Sequence, residues 1–487
     1  MIRSINLKEC ILPVFVVGLN LLVKGFYLSS NSIGGDEPFS IFHAQMDVFT
    51  IVELLSKGNN PPLYELFLHF WINLFGISKF SVRLPSLIFS CVSVWFLYRL
   101  AFSFFNKKVA IIVGLLFVFS NYETLFAHEA RVYSLLCMLS IISMFYYLKI
   151  ISEINPKKKH LILLLIVSVM LTYAHFFGFI LIFIQVLFVL LSKDLRGRYW
   201  KLLILFLGVI TCFYLPYLPI IVHRFLDSSV NGTWVSSPEG VKTLYNMIRA
   251  WSNAPVVATL VILILFSALV KCFVKGDVYV VKIPVKLVLV WFFVPFFLMF
   301  FISYYVPMFL DRYLIFLSGG FYLLVALCSD YLIRVKIYNY IIPVVLICLF
   351  VVTTKPNISN KRNVEEVVQK VKSLKRGNTL VLCTYHFGLN FTYYYDVELF
   401  KSVNDNMMSN MFKSLEKQNV FGITDVSEVP LNNWEKDHVI YVDAATDFLN
   451  PNNGILERLN SDYELISHVK IYEIFDVYEY GRRTKSE

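Results

Sequence analysis

Eleven apolar stretches of near-spanning length run through the first 355 residues, near 9–28, 82–104, 109–125, 132–151, 160–175, 176–192, 201–221, 253–274, 284–305, 313–334 and 337–354. Each approaches the length a helix needs to cross a hydrocarbon core of about 30 Å. The pattern predicts a polytopic α-helical membrane protein with about 11 transmembrane helices. The fifth and sixth stretches read as a tight hairpin around Tyr173-Ala174-His175. A different pattern fills Pro62–Phe75. There Leu63, Leu66, Phe67, Phe70, Trp71 and Leu74 recur at helical spacing, while Glu65, His69 and Asn73 fall on the opposite face. That predicts a helix lying in the interface, apolar side in the lipid. It belongs to a first outer loop of residues 29–80, too long to lack structure of its own.

From Asn357 the pattern changes. Val364–Leu374 reads as an amphipathic helix, Thr379–Thr384, Val420–Asp425 and His438–Asp443 as strands, and Gly454–Asn460 as a helix. The alternation predicts a soluble α/β domain over 356–487, after a membrane domain over 1–355. The C-terminal part has no Gly-rich phosphate loop and no nucleophile elbow, so no catalysis is assigned to it.

Composition agrees with the pattern. Of 487 residues, 57% are hydrophobic and 16% charged, against about 25% charged in soluble domains. The net charge of +10 divides unevenly: Asn357 onward holds 15 Lys+Arg and 19 Asp+Glu, whereas the preceding part holds 29 against 15. Of those 29 basic residues, 19 fall in one alternating set of connections, among them Lys107, Lys108, Lys157–Lys159, Arg196 and Arg198. The positive-inside rule places that set in the cytoplasm. The first loop, the Glu123–Arg131 turn, the 222–252 loop, the 306–312 turn and the C-terminal domain then face outward from the inner (cytoplasmic) membrane. A basic balance of this kind reports topology and implies no nucleic-acid partner. Seven of the eight cysteines lie in apolar stretches and only Cys383 in the polar part, which excludes a disulfide framework there. The first stretch lacks a small-residue cleavage site and reads as a retained helix.

Ten of the 15 acids before Asn357 fall on the outer side. Carboxylates contribute little to orientation, so this bias points to chemistry on that face. Asp36-Glu37 sits in the first loop, His128-Glu129-Ala130-Arg131-Val132-Tyr133 before the fourth stretch, His175 at the end of the fifth, and Asp311-Arg312-Tyr313 at the start of the tenth. Ionisable residues collected at one membrane border mark a candidate site.

The ordered set Asp36-Glu37, Asn60-Pro61-Pro62-Leu63-Tyr64, Phe75-Gly76 and Arg83-Leu84-Pro85-Ser86 resembles the GT-C membrane glycosyltransferases. It is most similar to bacterial relatives of the protein O-mannosyltransferases and of the lipid A aminoarabinose transferase (glycosyltransferase family 39-like). His128 through Leu135 resembles that group's second outer-loop motif; Thr172-Tyr173-Ala174-His175 and Arg312-Tyr313-Leu314 resemble weaker signatures. The resemblance covers residues 30–140 well and the later spans loosely. It implies a GT-C fold and inverting transfer of a sugar from a polyprenyl-phosphate donor to a hydroxyl of an acceptor lipid, glycan or protein. Such a reaction needs one base, because phosphate leaves without a strong acid. It also needs positive charge for the phosphate, which arginine supplies in a two-pronged geometry.

On this reading Asp36, aligned with the first acid of the family's pair, is the expected general base and Glu37 its partner. Arg131 and Arg312 are expected to bind the carrier phosphate, with Glu129, His128, Tyr133, His175 and Tyr64 at the substrate. Simpler readings stand beside these. Arg131 and Arg312 also fit as span ends, His128 and His175 as interfacial hydrogen-bonding residues, and Tyr133, Tyr304 and Tyr305 as interface aromatics. Glu65 and His69 fit a solvated helix face better than a metal pair. No cofactor is implied and a divalent metal is left open. A flippase or transporter for lipid-linked sugars is the alternative from another class, while a polymerase or ligase would share the outer-face site and the lipid-linked donor. The clustering of polar residues on one face, without evident repeats, speaks against a transporter. The Asn231-Gly232-Thr233 sequon matters only in a secretory setting.

Overall fold

The computed structural model describes residues 11–58, 61–231, 235–275, 282–333, 338–358, 363–402, 407–446, 452–472 and 474–483. Asn60 of the first-loop motif, Gly232-Thr233 of the sequon, and the basic residues Arg3, Lys8, Arg334 and Lys336 lie outside the described residues. The chain separates into two compact units. The first comprises Met1–Leu28, Phe49–Phe67 and Arg83–Ile358, the second Ser29–Val48, Leu68–Val82 and Ser359–Glu487.

The helices, in chain order, are α1 (Ile11–Gly25), α2 (Glu37–Ala44), α3 (Val48–Ser56), α4 (Leu63–Phe75), α5 (Lys79–Phe104), α6 (Lys107–Val118), α7 (Asn121–Ala127), α8 (Tyr133–Ser152), α9 (Lys158–Ala174), α10 (Gly178–Leu191), α11 (Lys193–Tyr214), α12 (Leu218–Asn231), α13 (Val241–Trp251), α14 (Pro255–Lys275), α15 (Ile283–Ile302), α16 (Ser318–Leu332) and α17 (Ile341–Thr353). Every predicted apolar stretch therefore contains a helix. Among the described residues six are long and apolar enough to cross a membrane, or seven if the bent pair α6–α7 counts as one span.

The third stretch departs from expectation. In place of one continuous span over 109–125, α6 and α7 meet at a bend of 59°. The residues explain the break. Ser120 caps α7 by accepting a hydrogen bond from Glu123 N at 3.2 Å, and Ser-x-x-Glu is a capping-box sequence that starts a new helix. The carbonyls at the end of α6 then need partners that lipid cannot supply. Lys24 Nζ donates to Phe117 O at 3.1 Å, and Asn253 Nδ2 and Thr354 Oγ1 each donate to Phe119 O at 2.8 Å.

The predicted hairpin is present. His175 is the C-cap of α9 and α10 begins at Gly178. A Cβ on Gly178 would stand 2.5 Å from Leu171 O, so the turn accepts no side chain there.

In the second unit, α18 (Val364–Leu374), α19 (Gly388–Tyr395), α20 (Val397–Lys401) and α21 (Met407–Glu416) surround a five-stranded sheet. Its strands are β1 (Leu380–Thr384), β2 (Val420–Ile423), β3 (His438–Ala444), β4 (Tyr463–Ile471) and β5 (Phe475–Arg482), in the order β2-β1-β3-β5-β4. β1 is parallel to both β2 and β3, while β5 is antiparallel to β3 and β4. β1 is buried along its whole length, as a central parallel strand covered on both faces should be. Leu380, Leu382, Val439, Tyr441, Leu459 and Tyr480 pack in one core, each fully buried side chain contributing about 1.5–3 kcal/mol.

The predicted amphipathic helix forms as α4, and it exposes Phe67, Phe70 and Leu74 as a row. Of its polar positions Glu65, His69 and Asn73, Asn73 is exposed as expected and the other two are not. Glu65 is 2% exposed, and His69 sets its Nδ1 2.9 Å from Ala44 O and its Nε2 3.2 Å from Asn73 Nδ2. Among the described residues no group of three His, Cys, Asp or Glu could hold a metal.

Candidate active site

In the second unit the segment Ser32–Glu37 is a turn built by two glycines. Gly35 takes φ +64°, a left-handed conformation that glycine adopts without steric cost. Glu37 begins α2, folds its carboxylate back, and accepts a hydrogen bond at Oε2 from Gly34 N at 3.1 Å. It is 1% exposed. Asp36 is the N-cap of α2, yet its side chain makes no cap hydrogen bond. It is half-buried. The two adjacent carboxylates thus serve different ends: that of Glu37 closes the turn, while that of Asp36 is not spent on the helix it precedes.

The turn is tied to α18 and α19. Ile33 N donates to Tyr394 Oη at 2.6 Å, Asn390 Nδ2 to Gly35 O at 3.1 Å, and Ser32 Oγ to Asn363 Oδ1 at 3.0 Å. Glu365 N donates to Ser32 Oγ at 3.4 Å, and Lys79 forms an ion pair with Glu365. The Lys79 ammonium also stands 5.6 Å from the centre of the Tyr394 ring.

In the first unit, α7 ends at His128 and α8 begins after Val132, so the His128–Val132 link is short and enclosed. Ser86 Oγ donates to Glu129 O at 2.6 Å. His128 sets Nε2 2.6 Å from Lys24 O and Nδ1 3.3 Å from Ile358 O; the shorter contact assigns the Nε2–H tautomer. Its ring nitrogens therefore face backbone carbonyls. Arg131 is 7% exposed.

Arg131 and Arg312 approach the same ring: each guanidinium carbon lies 6.0 Å from the centre of Tyr133. Such separations permit cation–π attraction. His175, 3% exposed, stands in the electrostatic field of both arginines. Its Nδ1 accepts from Phe177 N at 3.2 Å, which leaves the proton on Nε2, and that nitrogen has no hydrogen-bond partner among the described residues. The His175 ring lies 4.9 Å from that of Phe177 and 5.6 Å from that of Tyr313. The first unit thus gathers Arg131, Arg312, Tyr133 and His175 from three separate elements. Glu129 is half-buried beside them in sequence, and Tyr64 is completely buried on α4.

Sequence reasoning passed over Lys24, Glu123, Asn390 and Tyr394. Lys24 and Glu123 are buried charges in apolar helices. A lysine ending the apolar run Leu21-Leu22-Val23 on the side opposite the basic loops was the available signal. No comparable signal marked Asn390 or Tyr394, whose importance comes from contacts more than 350 residues away.

Comparison with known proteins adds to this geometry. Residues 59–223 match the family described as dolichyl-phosphate-mannose-protein mannosyltransferase. No curated protein matches the chain. Among solved structures, apo ArnT from Cupriavidus metallidurans superposes with a TM-score of 0.59 at 11% identity, covering 96% of this chain and 97% of that one. The same protein bound to undecaprenyl phosphate gives 0.56 at 12% identity, with the same coverage. The archaeal oligosaccharyltransferase AglB from Archaeoglobus fulgidus, in complex with an inhibitory peptide and a dolichol-phosphate, gives 0.53 at 11% identity, covering 99% and 75%. The chain has the GT-C fold of these membrane glycosyltransferases, with a small sheet domain in its C-terminal part.

Proposed function

We propose that this chain, a GT-C relative of the protein O-mannosyltransferases and of ArnT, transfers a sugar from a polyprenyl-phosphate donor to an acceptor hydroxyl at the outer face of the membrane. The observation that carries the reading is the convergence of two guanidiniums, since Arg131 and Arg312 each stand 6.0 Å from the centre of the Tyr133 ring. Glu37 accepts from Gly34 N and so closes the turn that sets Asp36 at the head of α2.

The chemistry assigns one role to each group. The acceptor oxygen attacks the anomeric carbon from the side opposite the phosphate and a new C–O bond forms with inversion. The bond to the phosphate oxygen breaks and its electron pair leaves with the phosphate. The hydroxyl proton passes to the Asp36 carboxylate. Arg131 and Arg312 meet the growing phosphate charge, and the Nε2–H of His175 supplies a further donor to phosphate or sugar. Tyr133 holds the two guanidiniums, Glu129 binds sugar hydroxyls or orients Arg131, and Tyr64 belongs to the substrate set. His128, with its ring facing Lys24 O and Ile358 O, secures the link that carries Glu129 and Arg131. The donor's isoprenoid chain, as in the structure that holds undecaprenyl phosphate, requires an apolar surface in the bilayer.

The test uses a deletion strain whose membranes supply both native substrates. Wild-type protein should restore the mass of the surface glycan or glycoconjugate. Asp36→Asn should lower the transfer rate by about 10²–10⁴-fold, the usual worth of a positioned base. Near-normal turnover of that variant would sink the base assignment. Movement of donor lipid across reconstituted vesicles without a glycosylated product would instead establish a flippase.

A further inference from the structure

The C-terminal α/β region carries no catalytic motif, yet it holds the turn that presents Asp36. We propose that Tyr394 and Asn390, both on α19, are positioning residues for the Asp36 base; the inference rests on the function proposed above. Tyr394 Oη accepts from Ile33 N at 2.6 Å and Asn390 Nδ2 donates to Gly35 O at 3.1 Å. The two bonds bracket Gly34, one on each side, and Asp36 follows directly.

The need for such a clamp is physical. Gly34-Gly35 is the most permissive dipeptide available, and Gly35 uses that freedom to reach φ +64°. The same freedom would let the turn wander and would cost ordering entropy each time the base is placed. A base must sit within about 0.5 Å of its productive geometry, so an unbraced glycine pair is a poor mount. Residues three and four apart on a helix share a face. Asn390 and Tyr394, at i and i+4 on α19, therefore reach the turn from one rigid surface.

Two further observations support the assignment. Asn390 is 9% exposed and its Oδ1 has no hydrogen-bond partner among the described residues. A buried amide that leaves its acceptor unused is an expensive choice, which its donor bond to Gly35 O explains. The amide orientation follows from that bond, since only the NH₂ group can donate to a carbonyl. Tyr394 is itself braced: Lys372 Nζ donates to its carbonyl at 2.9 Å, and Lys79, paired with Glu365, stands over its ring. Glu365 N in turn donates to Ser32 Oγ. The turn, α18 and α19 thus close a single ring of contacts within the second unit.

The experiment uses the full chain purified in detergent or expressed in the deletion strain. Tyr394→Phe removes one hydroxyl and keeps the ring under Lys79; Asn390→Ala removes the second tie. Two quantities are read. One is amide hydrogen exchange at Ile33–Glu37 against exchange in β3 and β5. The other is the transfer rate as the polyprenyl-phosphate lipid fraction extracted from deletion-strain membranes is titrated to saturation. Each variant should speed exchange in the turn at least tenfold with the strands unchanged. Each should also lower the saturating rate roughly tenfold, with half-saturation moved less than twofold, as a displaced base demands. Unchanged exchange, or a saturating rate within twofold of wild type, overturns the positioning role. Accelerated exchange in β3 and β5 would mark Asn390→Ala as unfolded, and Tyr394→Phe then decides alone. If Asp36→Asn is active, the base reading fails whatever these variants do. If Asp36→Asn is dead while both variants are normal, only the clamp fails.

Discussion

Glu37 shows how little adjacency says about use. Its carboxylate is buried and closes a turn, while its neighbour's is half-exposed. The sequence marks the pair, and the resemblance to a family marks the first member. What separates them physically is a hydrogen bond to Gly34 N, and that depends on a positive φ at Gly35 which a lone sequence does not display. The arginines pose the converse case. Arg131 and Arg312 are 181 positions apart by number, and only the fold brings both to the Tyr133 ring. Arg131→Ala and Arg312→Ala should each raise the amount of extracted donor lipid needed for half-saturation about tenfold or more. Arg312→Lys should recover only part of that, since an ammonium lacks the planar two-pronged fork. An unchanged half-saturation point in both alanine variants would return these residues to the role of span ends.

At the scale of the element, the α6–α7 break is the informative case. Lys24 is 0% exposed, donates to Ser90 Oγ at 3.2 Å and to Phe117 O at 3.1 Å, and stands 4.3 Å from the Phe117 ring centre. A cation at the C-terminal end of α6 complements that helix's dipole, and Glu123 in the first turn of α7 complements the other. The Glu123 carboxylate lies within electrostatic reach of Lys24. Lys24→Met should therefore cost about 3 kcal/mol of stability, because it strands a carbonyl and leaves a buried carboxylate uncompensated. The double variant Lys24→Met/Glu123→Gln should cost less than the single change, read from thermal or denaturant unfolding in detergent. A larger loss in the double would show that the two charges do not compensate each other.

Periodic elements were legible and interrupted ones were not. Val364–Leu374 has the predicted bounds, since four buried valines at helical spacing leave no ambiguity. β4 escaped prediction because a register shift between Leu465 and Ser467 breaks its alternation, and β5 because its partners are stated nowhere but in the fold. The capping box at Ser120 stood in the sequence, but the groups that satisfy the freed carbonyls come from Lys24 on α1, Asn253 before α14 and Thr354 after α17.

For the molecule as a whole, charge and architecture suggest one orientation. By the positive-inside rule the basic connections are expected in the cytoplasm, and the C-terminal domain is expected outside. Glu398 on α20 is 77% exposed, so a Glu398→Cys variant reports as labelling above that of the parent chain, whose Cys212 and Cys348 are also exposed. A membrane-impermeant thiol reagent should label it in intact cells, or in spheroplasts where an outer membrane intervenes. Labelling only after lysis would invert the topology. That the second unit recruits residues 29–48 and 68–82 was not legible, because nothing local to Ser29–Phe80 names a partner beyond residue 359.

That recruitment also sets a clock. The turn bearing Asp36 is among the first segments synthesised, yet its tie to Tyr394 spans 361 positions. At about 5–20 residues per second, the ribosome needs roughly 20–70 s to cover that distance. During this interval the bundle can thread and pack while its acid loop stays unbraced. A chain released early would therefore carry its full set of apolar helices and no organised base. Completion of translation, on this reading, arms the enzyme.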